Sequence, residues 1–295
     1  MQRGEDAASE QWRGHCRERG RSIRDDPPPP DVREGFSDGL SVTGAKTDAP
    51  RFVSLISQHG PRAIVTAQEA LADWRIDGDD EPRVALNMIA SVDGRIAIDG
   101  RSAALGGPAD RALFHALRAG ADAVMAAAGT VRSERYGPII RDREVRAQRE
   151  RDGLSPQPLA VIVTRRLDLD PTLPLLDDRE SRVVILTPAA GDLPHCRAKV
   201  DYIRSATLQA GLAELHERHG AKLVLCEGGP SLNASLAAES LIDELFLAIS
   251  PLLVGDAPGA GALLRGDAPP GPLPLELRML LEHENELYAR YVSRG

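Results

Sequence analysis

Short runs of apolar residues alternate with helix-like segments through most of this chain. The runs are RVALNMIAS (83–91), ADAVMAAAG (121–129), LAVIVT (159–164), RVVIL (182–186) and KLVLC (222–226). A strand that is apolar at every position is typical of a parallel sheet with both faces covered. Alternation of strands with helices indicates the same arrangement. We therefore predict an α/β fold whose mainly parallel central sheet is flanked by helices.

Two helices and a final hairpin complete this prediction. Residues 108–120 begin with Pro108 and end with Gly120, which are typical first and last residues of a helix. Residues 207–219 place three leucines on one face and are followed by Gly220. The C-terminal residues predict two antiparallel strands that turn around 283–286. The sheet should therefore have an antiparallel C-terminal edge.

The chain divides into three predicted segments. Residues 1–50 are polar, lack periodicity and contain DDPPPP, so we predict a disordered N-terminal extension. Residues 51–82 form a leading segment with one short helix around 66–74. Residues 83–295 form the main folded domain, which contains all the buried runs.

Composition limits the possible partners and the compartment. The formal net charge is −8 and only 3% of residues are aromatic, so a nucleic-acid partner is not expected. No apolar run approaches the roughly 20 residues of a membrane span. The three cysteines form no CxxC pair, and the histidines lack metal-ligand spacing. We expect a cytoplasmic protein without a metal site or a membrane partner.

Two glycine turns are candidates for binding an anion. CEGGPS (226–231) and AAAGTVRSE (126–134) each stand where a buried run meets a helix-like segment. Such turns present unpaired backbone N–H groups and the positive end of a helix dipole. Each alone is also compatible with a simple tight turn. Together they suit a diphosphate, although neither matches GxGxxG or a P-loop.

Four motifs in this order carry a family resemblance. They are NMIASVDGRIA (87–97), GGPADRALFHALRAGADAV (106–124), GTVRSERYGP (129–138) and the segment from EGGPSLNASL through LIDELFLAISPLLVG (227–255). The chain resembles the reductase domain of riboflavin biosynthesis, which has the dihydrofolate-reductase-like fold, over residues 83–295. The zinc-deaminase signature of the bifunctional enzymes is absent. The resemblance is therefore to a stand-alone reductase, and Asn87 fits this because bifunctional enzymes usually carry lysine there.

The resemblance implies a specific reaction. A hydride from NADPH would reduce the ribosyl group of a diaminopyrimidinone ribosylamine 5′-phosphate to ribityl. The partner would be this phosphorylated small molecule. The family is commonly dimeric, and residues 243–255 would offer a strand edge for pairing. Two alternatives stay open: an NADPH-dependent reductase of another small heterocycle such as a dihydrofolate or pterin, and a non-catalytic nucleotide-binding sensor.

The resemblance also implies which residues bind the cofactor. Arg165 stands where the family meets the adenosine 2′-phosphate, and a cation there would favour NADPH over NADH. The expected cofactor-binding residues are Ala90, Gly129, Thr130, Glu134, Thr164, Arg165, Gly228, Gly229, Pro230, Ser231 and Leu232.

The substrate-binding residues implied by the resemblance are Asn87, Ser102, Arg118, Pro138, Arg141 and Glu227. Glu227 would accept hydrogen bonds from the substrate and is a candidate catalytic group. Arg118 has two interpretations, a phosphate ligand or a solvated helix residue. Asp93 is the second catalytic candidate, by orienting or protonating the substrate, but Asp-Gly is also a common turn pair.

Overall fold

The computed structural model of the chain describes residues 49–56, 62–74, 82–266 and 269–294. The predicted disordered extension lies outside these residues except for 49 and 50. The strands are β1 Phe52–Ile56, β2 Ile64–Val65, β3 Arg83–Ser91, β4 Ala123–Ala127, β5 Leu159–Val163, β6 Arg182–Thr187, β7 Lys199–Arg204, β8 Leu223–Cys226, β9 Glu244–Ser250, β10 Leu275–His283 and β11 Glu286–Ser293. The helices are α1 Ala67–Ala70, α2 Pro108–Gly120, α3 Ala128–Ser133, α4 Arg143–Arg151, α5 Leu208–His219 and α6 Pro230–Ala238. A 3-10 turn covers Ser102–Ala104.

These strands form one sheet in the order β2-β1-β10-β11-β9-β3-β8-β4-β5-β6-β7. The pairs from β9 through β3, β8, β4, β5 and β6 to β7 are parallel. The pairs that join β9, β11, β10, β1 and β2 are antiparallel. The predicted fold class, a mainly parallel sheet with an antiparallel C-terminal edge, is confirmed.

Each face of the sheet carries its own hydrophobic core. The first core packs α2 onto Val124, Ala126 and Ile162. The second contains Met125 and Val161 of the same strands and is covered by α5 and α6. Because neighbouring residues of a strand point to opposite faces, two cores require strands that are apolar at every position. This requirement explains the uninterrupted apolar runs.

The predicted ends of the two helices are confirmed. Pro108 is the first residue of α2, after Gly107 at the N-cap, and the helix ends at Gly120. The Thr207 side chain caps α5 by accepting a hydrogen bond from the N–H of Ala210 at 3.3 Å. Gly220 ends α5 in the left-handed conformation, at a φ of 67°, which glycine adopts without strain.

The leading segment contains more than the one helix expected. The helix α1 is capped by a reciprocal pair, Thr66 with Glu69, but β1 and β2 also join the sheet. Trp74 is 1% exposed and meets the ring of Phe246 edge-on. Arg290 donates to Asp73 (3.1 Å) and to the buried Glu244 (2.7 Å). These contacts place the described part of this segment within the core of the main domain.

Several other parts of the sheet and its flanking helices differ from expectation. The strand β7 and the charged helix α4 were not predicted, and the run 121–129 divides into β4 and the start of α3. The expectation that residues 243–255 offer a pairing edge was wrong, because β9 is hydrogen-bonded to β3 on one side and β11 on the other.

Among the described residues, no helix is both long and apolar enough to cross a bilayer.

Candidate active site

The two predicted glycine turns adjoin in the structure. They follow β4 and β8, which are parallel neighbours in the sheet. The N–H of Ala127 in one turn donates to the carbonyl of Gly228 in the other at 2.7 Å. A Cβ on Gly229 would lie only 2.9 Å from the Thr130 hydroxyl oxygen. The two turns therefore form one continuous surface of backbone at the C-terminal ends of the strands, where α/β sheets bind ligands.

Within this surface, the two glycines have different surroundings. Gly228 has a φ of 85° and a cis peptide bond to Gly229, which is the N-cap of α6. A Cβ on Gly129, in the first turn of α3, would meet no protein atom within 4 Å. Ser231 lies exposed in the first turn of α6, beside the buried Leu232, and does not cap the helix. Open space at Gly129 leaves room for a ligand against the backbone.

The carboxylate of Glu227 is bound to Arg118. Arg118 Nε donates to Glu227 Oε1 at 2.7 Å, and Arg118 Nη2 donates to Oε2 at 2.8 Å. The hydroxyl of Tyr136 donates to Oε2 at 2.5 Å. Glu227 follows directly after β8, Arg118 lies on α2 and Tyr136 follows α3. Three separate elements thus bring one carboxylate, one guanidinium and one phenol together.

This cluster is shielded from solvent. The side chains of Arg118 and Glu227 are 13% and 3% exposed. The Arg118 guanidinium lies 4.1 Å from the centroid of the Phe114 ring and 5.3 Å from that of Tyr136. Burial lowers the pKa of Arg118, but the Glu227 carboxylate more than offsets this, so the pKa is raised. Burial, and then the same carboxylate, raises the pKa of the Tyr136 phenol well above its ordinary value. Tyr136 is therefore a permanent hydrogen-bond donor to Glu227.

Asn87 is placed beside Glu227 by the register of the sheet. Leu86 pairs with Cys226, so the residues that follow them, Asn87 and Glu227, lie at the same level of the sheet. Ala85 and Leu225 belong to the core under α2, and side chains alternate between faces, so Asn87 and Glu227 share that face. Adjacent strands are about 4.8 Å apart. The two predicted substrate residues are therefore neighbours.

A small cavity is lined in part by Asn87. Its volume is about 20 Å³, and its lining includes Asn87, Asp110, Phe246 and Tyr288. The space in this cavity corresponds to about one water molecule. The Tyr288 hydroxyl donates to Glu286, and both groups face Asp110 from β11.

Asp93 is engaged in a turn. Its carboxylate accepts hydrogen bonds from Ser91 Oγ (2.5 Å), from the N–H of Val254 (3.1 Å) and from the N–H of Gly255 (2.7 Å). These bonds, the Ser91 hydroxyl first, lower the pKa of Asp93 to about 2. An ionised carboxylate that already accepts three bonds favours the turn-stabilising interpretation over proton donation.

The remaining predicted cofactor residues occupy varied positions. Ala90 is buried in β3, on the opposite face from Asn87. Thr164 follows β5, where its hydroxyl accepts from the N–H of Arg166 at 3.2 Å and the Arg165 side chain is exposed. Glu134 ends α3 and is exposed. No hydrogen bond or ion pair joins these four residues to Arg118, Tyr136 or Glu227 in the part of the chain that the structure describes.

The remaining predicted substrate residues divide into near and distant ones. Pro138 precedes Ile139, whose carbonyl accepts a bond from Arg118 Nη1 at 3.3 Å. Arg141 is exposed three residues after Pro138, and its Nη2 lies beside Gly137. Ser102 is exposed in the 3-10 turn, at the start of the segment that leads to α2.

Two residues of this region were not predicted from the sequence. Tyr136 is a single tyrosine in a polar stretch, and no spacing relates it to Glu227 at a separation of 91 residues. Asp110 had the pattern of an ordinary first-turn helix acid. The sequence did offer one signal for a contact of Arg118. Phe114 lies four residues before it on the same helix, and residues four apart are neighbours on a helix surface.

Asp110 should make the stability of the protein fall as pH rises. Burial, and then the nearby Glu286, raise its pKa to about 6, although Arg111 acts in the opposite direction. The stabilisation from its protonated carboxyl is full below the ordinary pKa and is lost as pH rises through about 6. Between about pH 5 and about pH 8 the loss is on the order of 1 kcal/mol, or roughly 3 °C in Tm. In Asp110→Asn this part of the pH dependence should disappear, as measured by thermal melts at both pH values.

The exposed Asp99 offers the matched control. Asp99→Asn makes the same chemical change without a buried acid pair, and should keep the wild-type slope of Tm against pH. An unchanged slope in Asp110→Asn would contradict the assigned burial of this carboxyl.

Comparison with known proteins gives a consistent result. The family model described as the RibD C-terminal domain matches residues 82–279. A 2,5-diamino-6-ribosylamino-4(3H)-pyrimidinone 5′-phosphate reductase from Archaeoglobus fulgidus is 29% identical over 185 residues, 59% of this chain and 82% of that protein. The protein of the same name from Methanothermobacter thermautotrophicus is 27% identical over 222 residues, 72% of this chain and 99% of that protein.

The solved structures include a similar fold. A pyrimidine reductase-like protein from Corynebacterium diphtheriae superposes with a TM-score of 0.64 at 24% identity, covering 78% of this chain and all of that chain.

Within the described residues, no group of three histidine, cysteine, aspartate or glutamate side chains is arranged to hold a metal ion.

Proposed function

The chain belongs to the RibD C-terminal domain family, and from this we propose that it reduces the ribosyl group of a diaminopyrimidinone ribosylamine 5′-phosphate to ribityl, with NADPH as the hydride donor. The reaction class is that of its named archaeal relatives. The observation that carries the proposal is the buried Glu227 carboxylate directly beside two joined glycine turns. This reaction needs a hydrogen-bond acceptor for a heterocycle and a backbone surface for a diphosphate, close to each other.

The residues around the glycine turns fit a nicotinamide dinucleotide. Open space at Gly129 and the N-terminus of α6 at Gly229 would receive the diphosphate, and the Thr130 hydroxyl lies between them. The exposed Arg165 follows the neighbouring strand β5 and would meet the 2′-phosphate, which is the reason to propose NADPH rather than NADH. When bound, the dinucleotide supplies a hydride to C1′ of the ribosyl group.

The residues under α2 would hold the pyrimidine. Glu227 would accept an N–H of the ring system, and Asn87, its neighbour on β3, offers both an amide donor and an acceptor. Arg118 and Tyr136 fix the Glu227 carboxylate in one orientation before the substrate arrives. Fixed polar groups lose little order on binding, so the substrate is positioned at low entropic cost.

The substrate phosphate would be held by exposed arginines beside this cluster. Burial lowers the pKa of His115, and the charges of Arg118, Arg111 and Arg141 lower it further, while Glu227 acts in the opposite direction. Three arginines therefore lie close to this surface of α2. Because Arg118 is bound to Glu227, the exposed Arg141 is the residue we assign to direct phosphate contact.

The alternative of a folate or pterin substrate has less support. Such a substrate calls for a carboxylate on an early helix over the ring, and Asp110 on α2 is the only such candidate among the residues that surround this cavity. The Asp110 carboxyl is buried beside the Glu286 carboxylate, and the cavity next to it is small and lined mostly by apolar side chains. The site around Glu227 is therefore the better place for a heterocycle.

Following the absorbance of NADPH with the purified full chain tests this function. We expect oxidation of NADPH, with formation of the ribityl product, on addition of the diaminopyrimidinone ribosylamine phosphate. The rate with dihydrofolate should be at least 100-fold lower, and NADH should replace NADPH poorly. Faster turnover of dihydrofolate would reverse the order of the two candidate substrates.

A further inference from the structure

The Glu227 carboxylate has little unused capacity to accept hydrogen bonds. An ionised carboxylate offers about four acceptor positions, two on each oxygen. Oε2 accepts from Arg118 Nη2 and from the Tyr136 hydroxyl, and Oε1 accepts from Arg118 Nε. Three of the four positions are thus filled, and the open one is on Oε1.

The arrangement of the filled positions is as important as their number. Arg118 approaches with two parallel N–H groups, one to each oxygen, at 2.7 and 2.8 Å. A planar ligand with two parallel N–H donors would use the same two acceptor positions, one on each carboxylate oxygen. We call this pair of positions the fork. Such a ligand and Arg118 cannot occupy the fork at the same time.

We propose that Arg118 and Tyr136 are specificity-determining residues, which restrict Glu227 to a single hydrogen bond from its ligand. The site then binds a pyrimidine through one N–H, and a ligand with a two-donor edge, such as a protonated 2,4-diaminopyrimidine, gains no second hydrogen bond from Glu227. The inference rests on the proposed function, in which Glu227 faces the heterocycle.

The surroundings of Arg118 keep the fork closed. Its guanidinium lies near the rings of both Phe114 and Tyr136, and it also donates to the carbonyl of Ile139. The next residue, Ile140, is held on both its N–H and its carbonyl by the buried Gln157 (2.9 and 2.6 Å). Separating a buried pair leaves two uncompensated charges, which is strongly unfavourable. A weakly binding ligand would not displace Arg118 from Glu227.

The C-terminal end of α2, which carries Arg118, is also anchored. The buried Arg149 donates from Nη1 to the carbonyls of Ala119 (2.6 Å) and Ala121 (2.8 Å), and from Nε to that of Ser155 (2.8 Å). These bonds hold the last turn of α2 against α4. The backbone of Arg118 is therefore held in place, which favours a permanent hydrogen-bonded pair between Arg118 and Glu227.

The first test needs no substitution. Calorimetric titration of the full chain, with NADPH present, compares protonated 2,4-diaminopyrimidine with protonated 4-aminopyridine, which carries the same charge but has no two parallel donors on one edge. We expect the two affinities to agree within about threefold, because Glu227 has one position open to either. A preference for the two-donor probe of tenfold or more would overturn the proposal.

The second test opens the fork. Arg118→Lys keeps the positive charge but replaces the two parallel donors by a single ammonium group. We expect this variant to bind 2,4-diaminopyrimidine at least tenfold more tightly than the wild type does. The gain should vanish in Arg118→Lys/Glu227→Gln, which lacks the carboxylate. A gain that survives in the double variant, or no gain in a folded single variant, would count against the proposal.

Two controls separate this inference from its premise. Arg143→Lys changes an exposed arginine at the start of α4 and should leave both probe affinities unchanged. Turnover of the ribosylamine phosphate is measured separately in the wild type. Absence of turnover with the expected probe pattern would reject the proposed substrate and leave the fork intact, whereas turnover with a two-donor preference would reject only the fork.

Discussion

Glu227→Gln is expected to lower kcat for the ribosylamine phosphate about 100-fold, because the loss of a charged hydrogen bond to a substrate costs roughly 2–3 kcal/mol. The affinity for NADPH should stay within about twofold, since the glycine turns and not this side chain would contact the cofactor. The substitution also leaves Arg118 buried beside a neutral amide. We therefore expect a loss of stability of about 3 kcal/mol, visible as a lower Tm.

Because activity and stability both fall, the measurement must separate them. Single-turnover and steady-state rates are taken well below the lowered Tm, together with calorimetric titration of NADPH. Tyr136→Phe removes only a neutral donor from the same carboxylate, and should lower kcat by about fivefold, in line with about 1 kcal/mol for one hydrogen bond. Glu150→Gln, at an exposed position of α4, controls for the loss of one negative charge. Wild-type kcat in a folded Glu227→Gln would remove this carboxylate from the substrate site.

Gly129→Ala is expected to weaken NADPH binding about tenfold, because a methyl group placed in a closely packed contact costs roughly 1–3 kcal/mol. The protein itself should not be destabilised. The new Cβ would meet no protein atom within 4 Å, and the residue lies in α3, where alanine is a better helix former than glycine. Binding and stability should therefore change in opposite directions, which a damaged fold would not produce.

Calorimetric titration of NADPH and a thermal melt of the same sample measure the two effects. Gly271→Ala is the matched control, because a Cβ there would also meet open space and the position lies outside both glycine turns. It should change neither quantity. Unaltered NADPH affinity in Gly129→Ala would show that the dinucleotide does not approach this turn.

The fold could be predicted from sequence wherever burial covers both faces of a strand. The strand β6, for example, has four buried apolar residues in succession, Val183 to Leu186, and such a run stands out in the sequence. The strand β7 has the sequence KVDYIR and one fully buried residue, Ile203, because it lies at the edge of the sheet. A half-exposed edge strand lacks the apolar run, so it resembles a loop in sequence. The helix α4 was not predicted because its charged residues, including the buried Arg149, give no apolar face.

The site was predictable residue by residue but not as an arrangement. Glu227 stood out because an acid follows an apolar run, and Arg118 because it lies opposite the apolar face of α2. That the two are bound to each other depends on how α2 crosses the sheet, over a separation of 109 residues. Tyr136 gave no pattern at all, since its partner is set by the path of the chain after α3. Side-chain pairs between distant elements are a tertiary property, and no periodicity within one element reports them.

The backbone bond from Ala127 to Gly228 has a consequence for how this protein can change over evolutionary time. The gap between the two turns is set by the spacing of adjacent strands, about 4.8 Å, and not by any loop. The loops that follow β3 and β9 leave the same edge of the sheet as these turns, so substitutions there can alter the surroundings of the site without changing this gap. The backbone surface that would bind the dinucleotide has a fixed spacing. Proteins that descend from this fold should therefore change their substrate long before they change their cofactor.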